Sequence, residues 1–308
     1  MKKNAIKHHK FGKSLFIVMG MILLIVYTAS FLAPLLWALM TSFKSEMDFM
    51  RHTFGFPTKF IFDNYAYVFQ NMAVPVSKIG NIYIVEMFYN SICYTVLCTF
   101  THTLTPLICA YAVAKFDFKF GKVIYGIVIV TMILPVIGNL ASEIQVSKAV
   151  GFYNNLFGVA IMKGHFLGTN FLIYYASFKS LPNDFKEAAE IDGASQFQIL
   201  VSIVMPLIKT TIGAIALLSF ISYWNDYTTA MIYLPSRPTI AYGLYYFTHS
   251  STNESSYVTV GIAACMLVTI PIFLVFLLFK NKLVGNMAVG GILSLIHISE
   301  PTRPISIS

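Results

Sequence analysis

The sequence predicts an all-α polytopic membrane protein with six transmembrane helices, on three observations. Hydrophobic residues make up 57% of the 308 and charged residues only 11%, against roughly 25% charged in soluble domains. Mean hydropathy is +0.71. Several stretches reach the ~20 mostly apolar residues needed to cross ~30 Å of hydrocarbon. A soluble chain of this length could not bury so much apolar surface, and the same composition excludes disorder, collagen and coiled coil.

The spans read, in order, as 14–40, 88–114, 123–142, 156–177, 204–226 and 257–279. The first (SLFIVMGMILLIVYTASFLAPLLWALM) is longer than the roughly 7–15-residue core of a signal peptide, so it reads as a retained helix. The fourth is the most interrupted, with Lys163 and His165 in its first half. Before the first span, residues 1–13 carry Lys2, Lys3, Lys7, Lys10 and Lys13 and no acid, which keeps that end in the cytoplasm. Six crossings return the C-terminus to the same side. Inside then lie those five with Lys115, Lys119, Lys122, Lys179, Lys186, Lys209, Lys280 and Lys282. Outside lie Lys44, Arg51, Lys59, Lys78, Lys148, Lys163 and Arg237. That bias agrees with the orientation.

The net charge of +8 sits beside apolar spans, so acidic lipid explains it better than nucleic acid. Cys93, Cys98, Cys109 and Cys265 lie in apolar stretches with no disulfide framework or metal spacing. The longest outside loop, 41–87, contains Gly55, Pro57 and Asn64 with several aromatics and is expected to pack against helix ends. No internal repeat stands out. The tail 293–308 (LSLIHISEPTRPISIS) has no cap or amphipathic rhythm and reads as a non-native extension.

The inner loop between spans four and five carries the most information: Leu181 to Leu207, LPNDFKEAAEIDGASQFQILVSIVMPL. Asp184 is a plausible N-cap with Glu187 three residues on. Phe185, Ala188, Ala189 and Asp192 share a face at helical spacing. Gly193 can take φ > 0 and end the helix. Ser195 can cap a second helix that runs into span five past Pro206. Small side chains at Ala188 and Ala189 let a partner surface approach closely. The bland alternative is an amphipathic connector lying in the headgroups.

EAAEIDGAS, followed thirteen residues after Gly193 by Pro206 in IVMPL, resembles the EAA loop of bacterial ABC importer permeases. Asn90-Ser91, AYAVAKFDF (Ala110–Phe118), ILP (Ile133–Pro135), SYWNDYTTAMIYL (Ser222–Leu234) and MAVGGI (Met287–Ile292) are similar to the carbohydrate-uptake branch, the maltose-permease-like subunits. The resemblance covers about 14–292 and implies a type I ABC importer transmembrane domain over that range. It implies that Glu187, Ala188, Ala189, Asp192, Gly193 and Pro206 belong to a coupling segment seated in a separate ATPase. It further implies a second permease subunit as a heterodimeric partner, an ATP-binding cassette dimer and an extracytoplasmic solute-binding protein, all in the cell membrane or against it. Span one would wrap around the partner subunit.

Other residues allow two readings each. Trp224, Asn225 and Asp226 are either pathway residues at membrane depth or an interfacial anchor, with the tryptophan in the aromatic belt and Asp226 solvated. His102, among Thr99, Thr101, Thr103 and Thr105, fits interhelical hydrogen bonding better than a proton relay, since no second intramembrane carboxylate completes a chain. Glu143 and Gln145 follow span three either in a solvated loop, the commoner case, or in contact with a sugar or binding protein, and Tyr245, Tyr246 and Phe247 are either interfacial anchors, the default, or a stacking surface for a sugar ring. No G-x-x-x-x-G-K-[ST] occurs: Gly12-Lys13-Ser14 has Lys7 where the first glycine should stand. The chain is therefore expected to be a transport subunit and not an enzyme. It should hold no metal and no cofactor, with ATP and Mg on the partner ATPases. A non-sugar importer, or a secondary transporter, is the rival reading. The latter should show paired broken helices, and the apolar pattern suggests none.

Overall fold

A computed structural model of the chain describes residues 2–77, 79–134, 138–249 and 257–298, with side chains given between 17 and 278. The chain divides into two compact units, Met1–Met72 with Phe247–Thr269, and Ala73–Tyr246 with Ile270–Ser308.

In the first unit, α1 (Lys2–Ser42) is followed by α2 (Glu46–Arg51) and α3 (Asp63–Asn71). Leu23, Leu24, Ile25 and Val26 of α1 are all exposed, as suits a helix whose surroundings are lipid or another chain. The loop after it packs on the helix end, as expected. Ser45 Oγ accepts the Asp48 N–H at 3.2 Å and caps α2. Asn64 Nδ2 donates to the carbonyls of Ser42 and Lys44, at 2.9 and 2.8 Å. Trp37 Nε1 donates to the Thr53 carbonyl at 2.9 Å. Lys44, counted by sequence among the outside charges, is 0% exposed. Its ammonium donates to the carbonyls of His52 and Thr53 at 2.7 and 3.2 Å. A buried charge survives only when its donors are used in this way. From the far end of the chain, Thr259 Oγ1 donates to Glu46 Oε2 at 3.0 Å within the same unit.

The second unit opens with a two-stranded antiparallel hairpin, β1 (Ala73–Val76) and β2 (Gly80–Tyr83), which corrects the all-α expectation. Val74, Val76 and Ile82 face inward, and Gly80 turns the chain at φ 100°. Then come α4 (Ile84–Lys115), α5 (Gly121–Ile133), α6 (Leu140–Ala149), α7 (Leu156–Lys163), α8 (Thr169–Ser180) and α9 (Asp184–Ile191). The short α10 (Gln196–Gln198), a π-helical turn over Ile199–Val204 and α11 (Met205–Leu207) lead to α12 (Lys209–Trp224), α13 (Tyr227–Tyr233), α14 (Ile240–His249) and α15 (Val258–Ile298), of which the end of α14 from Phe247 and the start of α15 up to Thr269 belong to the first unit. Helix α4 is the hub, packing on α8, α12, α7 and α5. One core gathers Leu107, Tyr111, Phe171, Tyr174 and Phe178 with Ile199 and Val204. A second gathers Tyr94, Cys98, Val159, Ala160 and Tyr223.

Among the described residues, three helical stretches are long and apolar enough to cross a membrane: Ile17–Ser42, Ile84–Lys115 and Val258–Leu278. The pair Gln196–Leu207 and Lys209–Trp224 adds a fourth if taken as one span bent by 81°. The segments read as spans at 123–142 and 156–177 are not single helices. Helix α5 stops at Ile133, short of a ~20-residue crossing. Pro135 lies outside the described residues. The 156–177 stretch is two helices. Asn155 Oδ1 accepts the N–H groups of Phe157 and Gly158, at 3.1 and 3.3 Å, to start α7. Gly168, at φ +127°, stands in front of α8. Hydropathy reports which solvent a segment prefers, whereas caps and glycines decide whether its helix is continuous, so the absence of broken helices inferred from the apolar pattern also fails. Helix α15 continues through Met287–Ile292 to Ile298, and residues 299–308 of the tail lie outside the described residues.

Candidate functional site

The 181–207 loop folds as helix, turn and helix. Its first helix, α9, begins one residue earlier in capping terms than the sequence suggested. Asn183, not Asp184, is the N-cap residue, and its side chain makes no capping bond. Instead Asn183 Oδ1 accepts from Lys115 Nζ at 2.8 Å, and the same ammonium donates to the Leu181 carbonyl at 2.7 Å. Asp184 and Glu187 stand in the first turn, where negative charge suits the helix dipole. Lys186 Nζ returns the attachment, donating to the Lys115 carbonyl at 3.2 Å and lying 4.5 Å above the Phe116 ring. It also pairs with Glu190 one turn on, at 3.5 Å. The AYAVAKFDF segment is thereby the anchor of α9.

The end of α9 follows from Gly193. At φ +80° it allows the Gly193 N–H to reach the Glu190 carbonyl (3.1 Å) and the Ala194 N–H to reach that of Ala189 (2.9 Å), the paired bonds of a Schellman stop. Ser195 caps the next helix as expected. Its hydroxyl accepts the Gln198 N–H at 3.3 Å while Gln198 Oε1 accepts the Ser195 N–H at 2.8 Å, a capping box. Gln196 Nε2 donates to Glu190 Oε1 at 2.7 Å and closes the turn. Pro206 cannot donate to the carbonyl four residues back, that of Ser202. It sits between the π turn and the 81° corner that sets α12 apart from the loop. The second helix therefore meets span five across a sharp corner and does not run straight into it.

The expected shared face of the two alanines divides. Ala189 is 7% exposed and belongs to the core with Tyr111, Ile199, Leu200 and Val204. Glu187, Ala188, Asp192 and Gly193 are exposed. Around them Ile191 and Phe197 are 87% and 74% exposed, and Phe185 is half exposed. Exposed apolar side chains gathered on a polar turn mark a contact surface. Periodicity placed Ala188 and Ala189 together because they stand three and four residues after Phe185. The packing separates them by turning one inward.

Trp224 and Asp226 depart from the interfacial-anchor reading. Trp224 is 2% exposed, with the Phe220 ring stacked at 6.1 Å and Phe88 at 6.2 Å, and is no lipid-belt residue. Asp226 caps α13, its Oδ1 accepting the Thr229 N–H at 2.9 Å. Its Oδ2 accepts the Tyr94 hydroxyl at 2.9 Å. Asn225 Nδ2 donates back to the Ile221 carbonyl at 2.8 Å. Nearby, burial and then the charge of Glu143 push the Tyr233 hydroxyl up to about 12. Asn90 and Ser91 hold the start of α14: Asn90 Nδ2 donates to the Pro238 carbonyl at 3.2 Å and Ser91 Oγ accepts the Ile240 N–H at 2.6 Å. Tyr245 stacks on Tyr227 at 4.6 Å.

Interhelical bonding by His102 and its threonine neighbour is as expected. Thr101 Oγ1 donates to the Ala160 carbonyl at 2.6 Å, and His102 Nδ1 lies 3.1 Å from the Lys163 carbonyl. Sequence missed Tyr94 and Lys115. Lys115 was counted only as an inside charge, although its place directly after an apolar helix and before an aspartate was a usable sign.

Residues 103–289 match the family model described as "Binding-protein-dependent transport system inner membrane component". A diacetylchitobiose uptake system permease protein of Streptomyces coelicolor is 26% identical over 271 residues, covering 87% of this chain and 86% of that protein. A lactose transport system permease protein of Rhizobium radiobacter is 26% identical over 263 residues, covering 84% and 91%. Among solved structures, a bacterial ABC transporter involved in import of the acidic polysaccharide alginate superposes with a TM-score of 0.72 at 24% identity, covering 87% of this chain and 96% of that one. That likeness establishes the fold.

Proposed function

Because the chain belongs to the family of binding-protein-dependent transport system inner membrane components, we propose that it is the permease subunit of a carbohydrate ABC importer and forms half of its translocation pathway. The observation that carries this reading is the family match over 103–289, which contains the whole EAA loop. Relatives whose names specify diacetylchitobiose and lactose transport support a sugar or oligosaccharide as the solute.

The transmembrane domain spans 14–292 in six crossings, the broken and bent segments counting as one each, with residues 1–13 and the C-terminus on the cytoplasmic side of the cell membrane. Residues 293–308 take no part. Glu187, Ala188, Ala189, Asp192, Gly193 and Pro206 form the coupling loop. Within it the exposed residues meet the ATPase, while Ala189 and Pro206 fix the loop to the bundle. Trp224, Asn225 and Asp226 shape the pathway wall. ATP and Mg bind the partner ATPase dimer, and this chain binds no cofactor of its own. A second permease subunit completes the pathway as a heterodimer, and an extracytoplasmic binding protein delivers the solute. ATPase closure would move α9 and thereby change which side the cavity faces, a rigid-body switch.

The test is to present the cognate binding protein with labelled sugars, identify the one retained, and measure its ATP-dependent uptake by the reconstituted importer. Uptake of a retained sugar is expected. Retention of an amino acid or peptide with no sugar would overturn the carbohydrate assignment.

A further inference from the structure

Non-helical backbone at membrane depth persists only where it is buried in protein or lines a water-filled cavity, because lipid cannot satisfy its N–H and C=O groups. Residues 164–168 are such a segment, lying between the end of α7 at Lys163 and the start of α8 at Thr169. They stand beside His102. At ~1.5 Å per residue, His102 is about 27 Å along α4 from Ile84 and about 20 Å from Lys115, far from either end of that crossing.

The surroundings combine the apolar side chains of Phe166 and Leu167 with polar groups that complement one another. With its proton on Nδ1, His102 donates to the Lys163 carbonyl at 3.1 Å, one of the acceptors that every helix end leaves over. Pro106, one turn on, lacks the N–H that would reach the His102 carbonyl, which releases a second acceptor. The His165 ring lies edge-on to His102 at 5.8 Å and is exposed. Gly168, the N-cap residue of α8, has no side chain to cap it, so the first N–H groups of that helix are donors that their own cap residue leaves over. A cavity of about 190 Å³ is lined by His102, Pro106, His165, Gly168, Thr169 and Asn170 among others, the volume of roughly six waters.

We infer that the break at 164–168 is a water-filled station on the solute path, at which a hydroxyl-bearing solute exchanges water for His165, Asn170 and the first turn of α8. The inference rests on the importer reading above. A hydroxyl both donates and accepts, which matches a wall that offers carbonyls, amides and imidazoles together. None of these groups is a fixed opposite charge, so the stop is weak enough to leave, as passage requires.

The test uses the full importer, assembled with its partner subunits in lipid nanodiscs, carrying Asn170→Cys. The probe is methanethiosulfonate ethylammonium, with the modified residue identified by peptide mass spectrometry. Ile173→Cys, on the same helix and exposed but outside the cavity lining, is the comparison. Labelling at position 170 should be at least about tenfold faster than at 173. Whichever of lactose, trehalose or raffinose the wild-type importer takes up should slow it. Equal rates at the two positions, or a transported sugar that leaves the rate at 170 unchanged, would overturn the inference. Fast labelling at 170 in an importer that takes up none of the three sugars would uphold the station and count instead against the sugar reading. If the position 170 variant does not assemble, Thr169→Cys, also lining the cavity, carries the same test.

Discussion

Tyr94, buried in the middle of the second unit, donates its hydroxyl to Asp226 Oδ2 at 2.9 Å while Asp226 Oδ1 holds the first turn of α13. One carboxylate thus joins the hub helix to the segment after span five. Asp226→Ala should cost about 1 kcal/mol for the lost cap. It should cost about 1–3 kcal/mol more for a buried hydroxyl left without its acceptor. Asp226→Asn keeps the cap and should cost least, with Tyr94→Phe between. Thermal unfolding of the purified variants in detergent checks the order, and equal midpoints for the three would contradict it.

The division of the two alanines gives a sharper pair. Ala188→Glu places a charge on the exposed ridge, so the protein should fold and assemble while ATP hydrolysis no longer drives uptake. Ala189→Glu forces a carboxylate into the core beside Tyr111 and Val204, where an unpaired charge is strongly destabilising. It should lower the amount of folded protein before coupling can be assayed. Uptake and ATPase activity, normalised to assembled complex, separate the two. Wild-type coupling in Ala188→Glu would remove the coupling role from this surface.

Two glycines are required for space and not for backbone freedom. A Cβ at Gly158 would lie 2.5 Å from Phe152 Cα, and one at Gly164 would lie 2.7 Å from Thr101 Cβ. Gly158→Ala and Gly164→Ala should each destabilise by about 1–3 kcal/mol, the usual range for overpacking. A Cβ at Gly213 meets nothing within 4 Å, so Gly213→Ala should be neutral or better in a helix. Melting temperatures of the three variants provide the comparison.

Acid should loosen the first unit. The Thr58 N–H donates to Asp48 Oδ2 at 2.9 Å. Chiefly through that bond, with help from Lys44 and His52, the carboxyl is held below its ordinary value of 3.8. A depressed carboxyl stabilises fully above its unfolded value and loses that contribution as pH falls through the folded one. The melting difference between wild type and Asp48→Asn should therefore be largest near neutral pH and shrink below about pH 4. A difference that grows in acid would reverse the assignment.

The coupling loop was legible because its determinants are local: Gly193 stops one helix, and Ser195 with Gln198 starts the next, within a few residues. The long spans were legible from hydropathy alone. The interruption at 164–168 was not, since its cause is the conjunction of Gly164 against Thr101, Lys163 against His102 and Gly168 before α8, two of which depend on a helix some 60 residues away. The burial of Lys44 was hidden for a related reason, because the carbonyls that accept its ammonium come from a turn whose fold no local pattern announces. The inward turn of Ala189 was not legible because its partners Tyr111 and Val204 lie beyond its own helix.

The attachments of α9 have a practical consequence for inhibitor design. Eight residues are too few to hold a helix in water, where roughly 12–15 are marginal, and the fixings at Asn183, Lys186 and Ala189 all reach the rest of the chain. A synthetic peptide copying 181–207 would lack Lys115, Phe116 and Tyr111 and would collapse into a random conformer. It should fail to compete with the intact permease, and an effective mimic would need cross-links doing the work of those three residues.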